Sequence, residues 1–176
     1  MKYILKTVAV FFIATTFNAC VTTKAFQKPA YINNDVLHIS GEKITDVSIF
    51  AVSMSSDKNL YTNIVAEIGG FFSNKKINND SRFFDATENP ATIGTTIRES
   101  KRPYYLIIDR VRSDYQKDEM NNPFISNQMN IILQKNNGEH IADFTITLDR
   151  TTFTSKMGKE IASLIKSYLE KKNLVN

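Results

Sequence analysis

Two short runs, residues 47–54 (VSIFAVSM) and 104–112 (YYLIIDRVR), are apolar on both of their alternating faces. Successive side chains of a strand point to opposite sides, so in the first run Val47, Ile49 and Ala51 line one side while Phe50, Val52 and Met54 line the other. The second run does the same through Leu106, Ile107 and Ile108. A strand that is apolar on both sides needs cover on both, which makes these central strands of a sheet with helices on its faces. A layered α/β domain provides that cover.

Elsewhere the apolar period changes to that of a helix. Leu60, Ile64, Ile68, Phe71 and Phe72 follow the N-cap residue Asp57 along one helical stripe, interrupted by Gly69-Gly70. The glycine pair implies either close packing on the sheet or an early helix end. Asn89-Pro90 opens a second helix carrying Ile93 and Ile97, and Pro103 stops it. After a Thr154 or Ser155 cap, Met157, Ile161, Leu164, Ile165, Tyr168 and Leu169 form the third and most regular stripe.

A short strand is expected at 35–39 and an edge strand at 82–85. A hairpin of residues 128–135 and 139–149 is expected around Asn136-Asn137-Gly138. In its second arm Ala142, Phe144, Ile146 and Leu148 face inward, while Asp143, Thr145 and Thr147 face water. The polar stretch 113–124 (SDYQKDEMNNPF) reads as a long exposed loop, the most mobile part of the domain. The fold class is therefore α/β, an α+β sandwich with one mixed sheet of about five strands and three helices, in the order β-α-β-α-β-β-β-α.

The amino-terminal segment carries an address. Lys2 and Lys6 precede an apolar run at 7–17, and small Ala19 precedes Cys20, the chain's only cysteine. This layout resembles bacterial lipoprotein signal peptides, whose lipobox is roughly Leu-Ala/Ser-Gly/Ala-Cys. Ala19-Cys20 carry the match, and Phe17 and Asn18 stand where that family has leucine and a small residue. The resemblance implies that Cys20 becomes an acylated amino terminus. It divides the chain into a signal peptide at 1–19, a lipidated tether at 20–35 and a single periplasmic domain at 36–176. An apolar run of eleven residues is short of the roughly 20 that a membrane-spanning helix needs. Val21, rather than aspartate, follows Cys20, which in the enterobacterial sorting rule implies an outer-membrane anchor with the domain facing the periplasm.

Without residues 1–19 the chain has 157 residues, the size of one domain, and its formal charge falls from +4 to +2. Charges of both signs are interspersed, which argues against nucleic acid as a partner. His38 and His140, the only histidines, stand far apart in sequence, so each is expected to act alone at the surface or in a hydrogen bond, with no metal and no cofactor. No Gly-x-Ser-x-Gly elbow is present. Asp109 and Asp143 are the one candidate acid/base pair, with Asp149 nearby in sequence; the expectation is that each faces water or pairs with Arg110, Arg112 or Arg150. Tyr115, Met120, Pro123 and Phe124 combine aromatic and methionine side chains in a polar setting, the residue types enriched at interfaces.

The element order is similar to that of small periplasmic α/β lipoproteins that activate penicillin-binding proteins, and of curli-secretion lipoproteins. Tyr104-Tyr105-Leu106-Ile107, Asn137-Gly138-Glu139 and the terminal helix carry this likeness, over about residues 44 to 172. The signal, the tether, the single domain and the missing catalytic constellation together lead to the expectation of a non-enzymatic, membrane-anchored domain that binds or regulates another cell-envelope protein, with Tyr115, Met120, Pro123 and Phe124 as candidate contacts and the lipid bilayer engaged through acylated Cys20. Alternatives are a small envelope hydrolase acting on peptidoglycan or lipid through Asp109 and Asp143, and a structural subunit of a secretion or surface-assembly complex.

Cys20→Ala is expected to abolish incorporation of labelled fatty acid and to move the folded domain from the membrane to the soluble fraction. Two or three acyl chains, at about 0.8 kcal/mol per buried CH₂, hold the protein to the bilayer, while folding draws on the strands and helices that follow. A wild-type chain that takes up no label would remove the anchor.

Overall fold

The computed structural model describes residues 28–150 and 156–176. The leader, Cys20 and the Thr154 or Ser155 cap lie outside these residues. The elements are β1 (Tyr31–Leu37), β2 (Asp46–Ser53), α1 (Lys58–Asn74), β3 (Asn78–Asp85), α2 (Pro90–Glu99), β4 (Tyr104–Lys117), β5 (Pro123–Lys135), β6 (His140–Arg150) and α3 (Lys156–Lys171), with one 3₁₀ turn at Ser55–Asp57 before α1. The six strands form one mixed sheet in the order β1-β6-β5-β4-β2-β3, parallel at β2/β3 and β2/β4 and antiparallel elsewhere.

Strand β2 sits between its two parallel neighbours and is covered on both faces. Val47, Ile49 and Ala51 join the main core with Ile64, Ile68 and Phe72 of α1, while Phe50 turns to the other face and meets Phe84 and Tyr105. Val52 and Ile107, with Ile93 and Ile97 of α2, complete this second cluster. The handedness of crossovers explains the division. The connection from β2 runs outward to β3 and the next returns past β2 to β4, so two right-handed crossovers in opposite directions place their helices on opposite faces.

Helix α3 closes the main core. Its predicted stripe is buried, with only Leu164 partly covered, and Tyr168 stacks on Phe144 at 4.0 Å between ring centroids. In α1 the buried set is Tyr61, Ile64, Val65, Ile68 and Phe72, so the true stripe is centred one residue away from the predicted Leu60 and Phe71. The helix continues through Gly69-Gly70 to Asn74. A Cβ on Gly69 would stand 3.0 Å from Asn79 Oδ1, whereas one on Gly70 would meet nothing within 4 Å. Asn89 caps α2 by accepting from the Ala91 N–H at 2.9 Å, with Pro90 in the first turn.

Several boundaries differ from the sequence reading, and β3 begins at Asn78, four residues ahead of the expected edge strand. Strand β1 begins at Tyr31 and pairs with β6, so the folded domain starts ahead of residue 36 and takes in part of the expected tether. Counting β1 gives six strands instead of five. Residues 113–124 are not a long loop: β4 runs through to Lys117 and β5 begins at Pro123, so the two strands pair down to a tight turn.

Helices α1 and α3 come close together at Gly158, where a Cβ would lie 3.1 Å from Asn63 Cβ and 3.6 Å from the Leu60 carbonyl oxygen. Gly158→Leu is expected to destabilise the domain by about 1–3 kcal/mol through overpacking. Gly70→Ala, with open space around it in mid-helix, is expected to stabilise by about 0.5–1 kcal/mol. Urea unfolding of the two variants checks both signs.

Candidate protein-binding hairpin

Strand β4 makes its last pair with β2 at Asp109, opposite Val52. It continues eight residues further, to Lys117, paired only with β5 among the described strands. On the β2 side, no described strand lies alongside this overhang. A strand edge of that kind is a template for another extended chain.

The turn that ends the overhang is built around Asp118. Its Oδ1 accepts the backbone N–H groups of Met120 and Asn122 at 2.9 and 2.8 Å, and its Oδ2 accepts the Asn122 side-chain amide at 3.1 Å. Asp118 and Asn122 also exchange a backbone bond at 3.0 Å, and Asn121 takes a left-handed φ of 66°. The amide of Asn122, then the backbone N–H groups, hold the Asp118 carboxyl below its ordinary pKa, and the Lys28 ammonium adds to the effect. This carboxylate replaces missing backbone partners, which lets a polar sequence make a defined turn.

The sequence-predicted interface residues divide into two roles. Tyr115 is 84% exposed and Met120 81% exposed, the two most exposed large apolar side chains described, and Pro123 is exposed beside them. Phe124 is 5% exposed, so it is covered and leaves the candidate surface, although it is part of neither core cluster. The overhanging edge, which composition alone does not reveal, joins the site instead.

Asp109 and Asp143 do not meet. They are on the same face but two strands apart and out of register, Asp109 opposite Asn130 and Asp143 opposite Ile132. Strand spacings of about 4.8 Å and a residue rise of about 3.3 Å place them roughly 12 Å apart. Asp143 accepts instead from both histidines, His38 Nε2 at 2.9 Å and His140 Nδ1 at 2.9 Å. The two histidines are therefore not alone, as their separation in sequence implied; their rings stand edge to face with centroids 6.1 Å apart.

A third feature is an open groove of about 990 Å³ between α1 and α3, walled by Phe71 and the lysines 156, 159 and 166. Lys166 is already engaged by Glu67 at 3.5 Å. Among the described residues, no helix is long and apolar enough to cross a membrane.

No family model matches the chain, and no curated protein matches it. Solved structures that align with it include the PelC dodecamer from Paraburkholderia phytofirmans, at 13% identity over 81% of this chain and 96% of that one, with a TM-score of 0.49. A minor lipoprotein from Acinetobacter baumannii aligns at 6% identity over 73% of this chain and 85% of that one, with a TM-score of 0.30. Likenesses this remote bring none of those proteins' roles to this chain.

The division of roles is open to measurement. Tyr115→Ala and Met120→Ala are each expected to change unfolding free energy by less than about 0.5 kcal/mol, as exposed positions do. Phe124→Ala is expected to cost about 3 kcal/mol. A large loss at Tyr115 would mean that this side chain anchors the hairpin and is unavailable to a partner.

Proposed function

We propose that this chain is a lipid-anchored envelope protein whose domain binds another protein of the same membrane through the β4–β5 hairpin. The observation that carries the reading is the exposure of Tyr115 and Met120 beside an overhanging strand edge. Large apolar side chains are costly to leave in water, and backbone edges invite added strands, so their coincidence favours a partner segment that adds in extended form and seats its own apolar side chains against Tyr115.

The path of the chain supports a membrane-proximal partner. The Lys28 N–H bonds the Asp149 carbonyl at 3.1 Å, and its ammonium acts on Asp118 in the hairpin turn, so the chain enters the domain at the hairpin end. Lys28 is eight residue steps from Cys20, a reach of about 28 Å at most when fully extended. An acylated Cys20 keeps the hairpin within that distance of the bilayer surface.

Site-specific photo-crosslinking in cells tests this reading. A photoreactive residue at position 115 or 120 is expected to trap the same membrane protein, while one at exposed position 163 on α3 traps none. Absence of any adduct from both hairpin positions, with the protein present at normal levels, would overturn the assignment.

A further inference from the structure

We propose that His38, His140 and Asp143 form a binding site for a single zinc ion or a similar divalent transition-metal ion. The chain has two histidines, 102 positions apart, and the fold brings both onto one carboxylate. Their donor atoms, with those of Asp143, all lie within 4.8 Å of one another. Tetrahedral zinc with bonds of about 2.0–2.1 Å spaces its donors by about 3.4 Å, so rotation of these exposed side chains closes the set without backbone movement.

The backbone device that makes the cluster is a bulge in β6. Residues three apart in a regular strand point to opposite faces, which would separate His140 from Asp143. Leu133 pairs with Ala142 and Gln134 with His140, which leaves Ile141 as an extra residue. Ile141 and Ala142 are both fully buried, so the alternation skips one step and His140 returns to the face of Asp143. His38 follows β1 directly and its N–H bonds the Ile141 carbonyl at 2.8 Å, so the same bulge sets the height of the third group.

The site lies at the outer border of the sheet, on the face opposite α1 and α3 and beyond the reach of α2, where water has access. Two imidazoles and one carboxylate are a donor set for zinc, copper or nickel and a poor one for magnesium, which prefers oxygen ligands in octahedral geometry. Asp143 accepts a hydrogen bond from each ring, so the nitrogens that would face the ion are already turned inward. Three protein ligands leave the fourth position to water or to a donor from another molecule.

The test uses the full chain, purified in detergent with a tag free of histidine and stripped with a chelator. Isothermal titration is expected to show one equivalent of Zn²⁺ per chain and no heat with Mg²⁺, and Co²⁺ is expected to give the visible absorption of a four-coordinate site. His38→Ala, His140→Ala and Asp143→Ala should each weaken zinc binding by more than about tenfold, since changes even one shell further out cost about 10–100-fold in metal sites. Circular dichroism confirms that each variant is folded, and His→Gln variants serve where alanine disturbs the strand. A wild-type chain that takes up no zinc would overturn the site, as would a folded His38→Ala/His140→Ala variant that binds it as wild type does.

Discussion

The double burial of β2 is the constraint on which the rest of the structure depends. Every residue from Val47 to Phe50 is nearly inaccessible, and the strand is flanked by parallel neighbours that fully occupy its backbone groups. Parallel neighbours require crossovers, and crossovers supply the helices that the two apolar faces need. Among the described helices, α1 and α2 cover β2, β3 and β4, and α3 covers one face of the antiparallel half. One face of β1, β5 and β6 is therefore polar: Asn33 bonds Thr147, and Thr145 bonds Asn130, across the strands. Among the described helices, then, the parallel half of the sheet is covered on both faces and the antiparallel half on one.

Features that obey a short-range period were legible in the sequence. The stripe of α3, the Asn89-Pro90 start of α2, the Gly138 turn with its φ of 87° and the inward set of β6 all appear where the residues imply them. Two polar segments were misread for a common reason. Residues 31–37 (YINNDVL) and 113–117 (SDYQK) form strands because neighbouring strands satisfy their backbone, and backbone bonds do not require apolar side chains. Edge and overhang positions bury little, so composition there reports solvent and not secondary structure. The asparagines of β1 serve a local need as well, since Asn34 takes a φ of 51° where the pairing with β6 shifts register.

The histidine cluster was illegible on two counts. The separation of His38 from His140 is bridged only by the pairing of β1 with β6, which no local pattern specifies. Within β6 the spacing of His140 and Asp143 argues against a shared face until the bulge at Ile141 is known. The one local trace is the pair Ile141-Ala142, two adjacent apolar residues at the start of a strict alternation, which is how a bulge writes itself into a sequence. The polar overhang of β4 leaves no comparable trace, because its register is set by β5 and its end by the Asp118 turn.

Strand β5 ties these two features together and holds them apart. Its thirteen residues, at about 3.3 Å each, span about 40 Å from Pro123 at the hairpin turn to Lys135 near His140. Under the proposed anchoring, the amino-terminal entry beside Asp118 puts the hairpin end toward the bilayer, and a rigid strand then carries the histidine cluster to the opposite end of the domain. A partner held at the hairpin would be an integral or closely bound protein of that membrane, whereas a ligand of the cluster would approach from the aqueous side. Substitutions at one end then act on separate equilibria from those at the other, because sites so far apart with no shared partner combine additively. The two proposed activities can accordingly be separated genetically within a domain that has a single core.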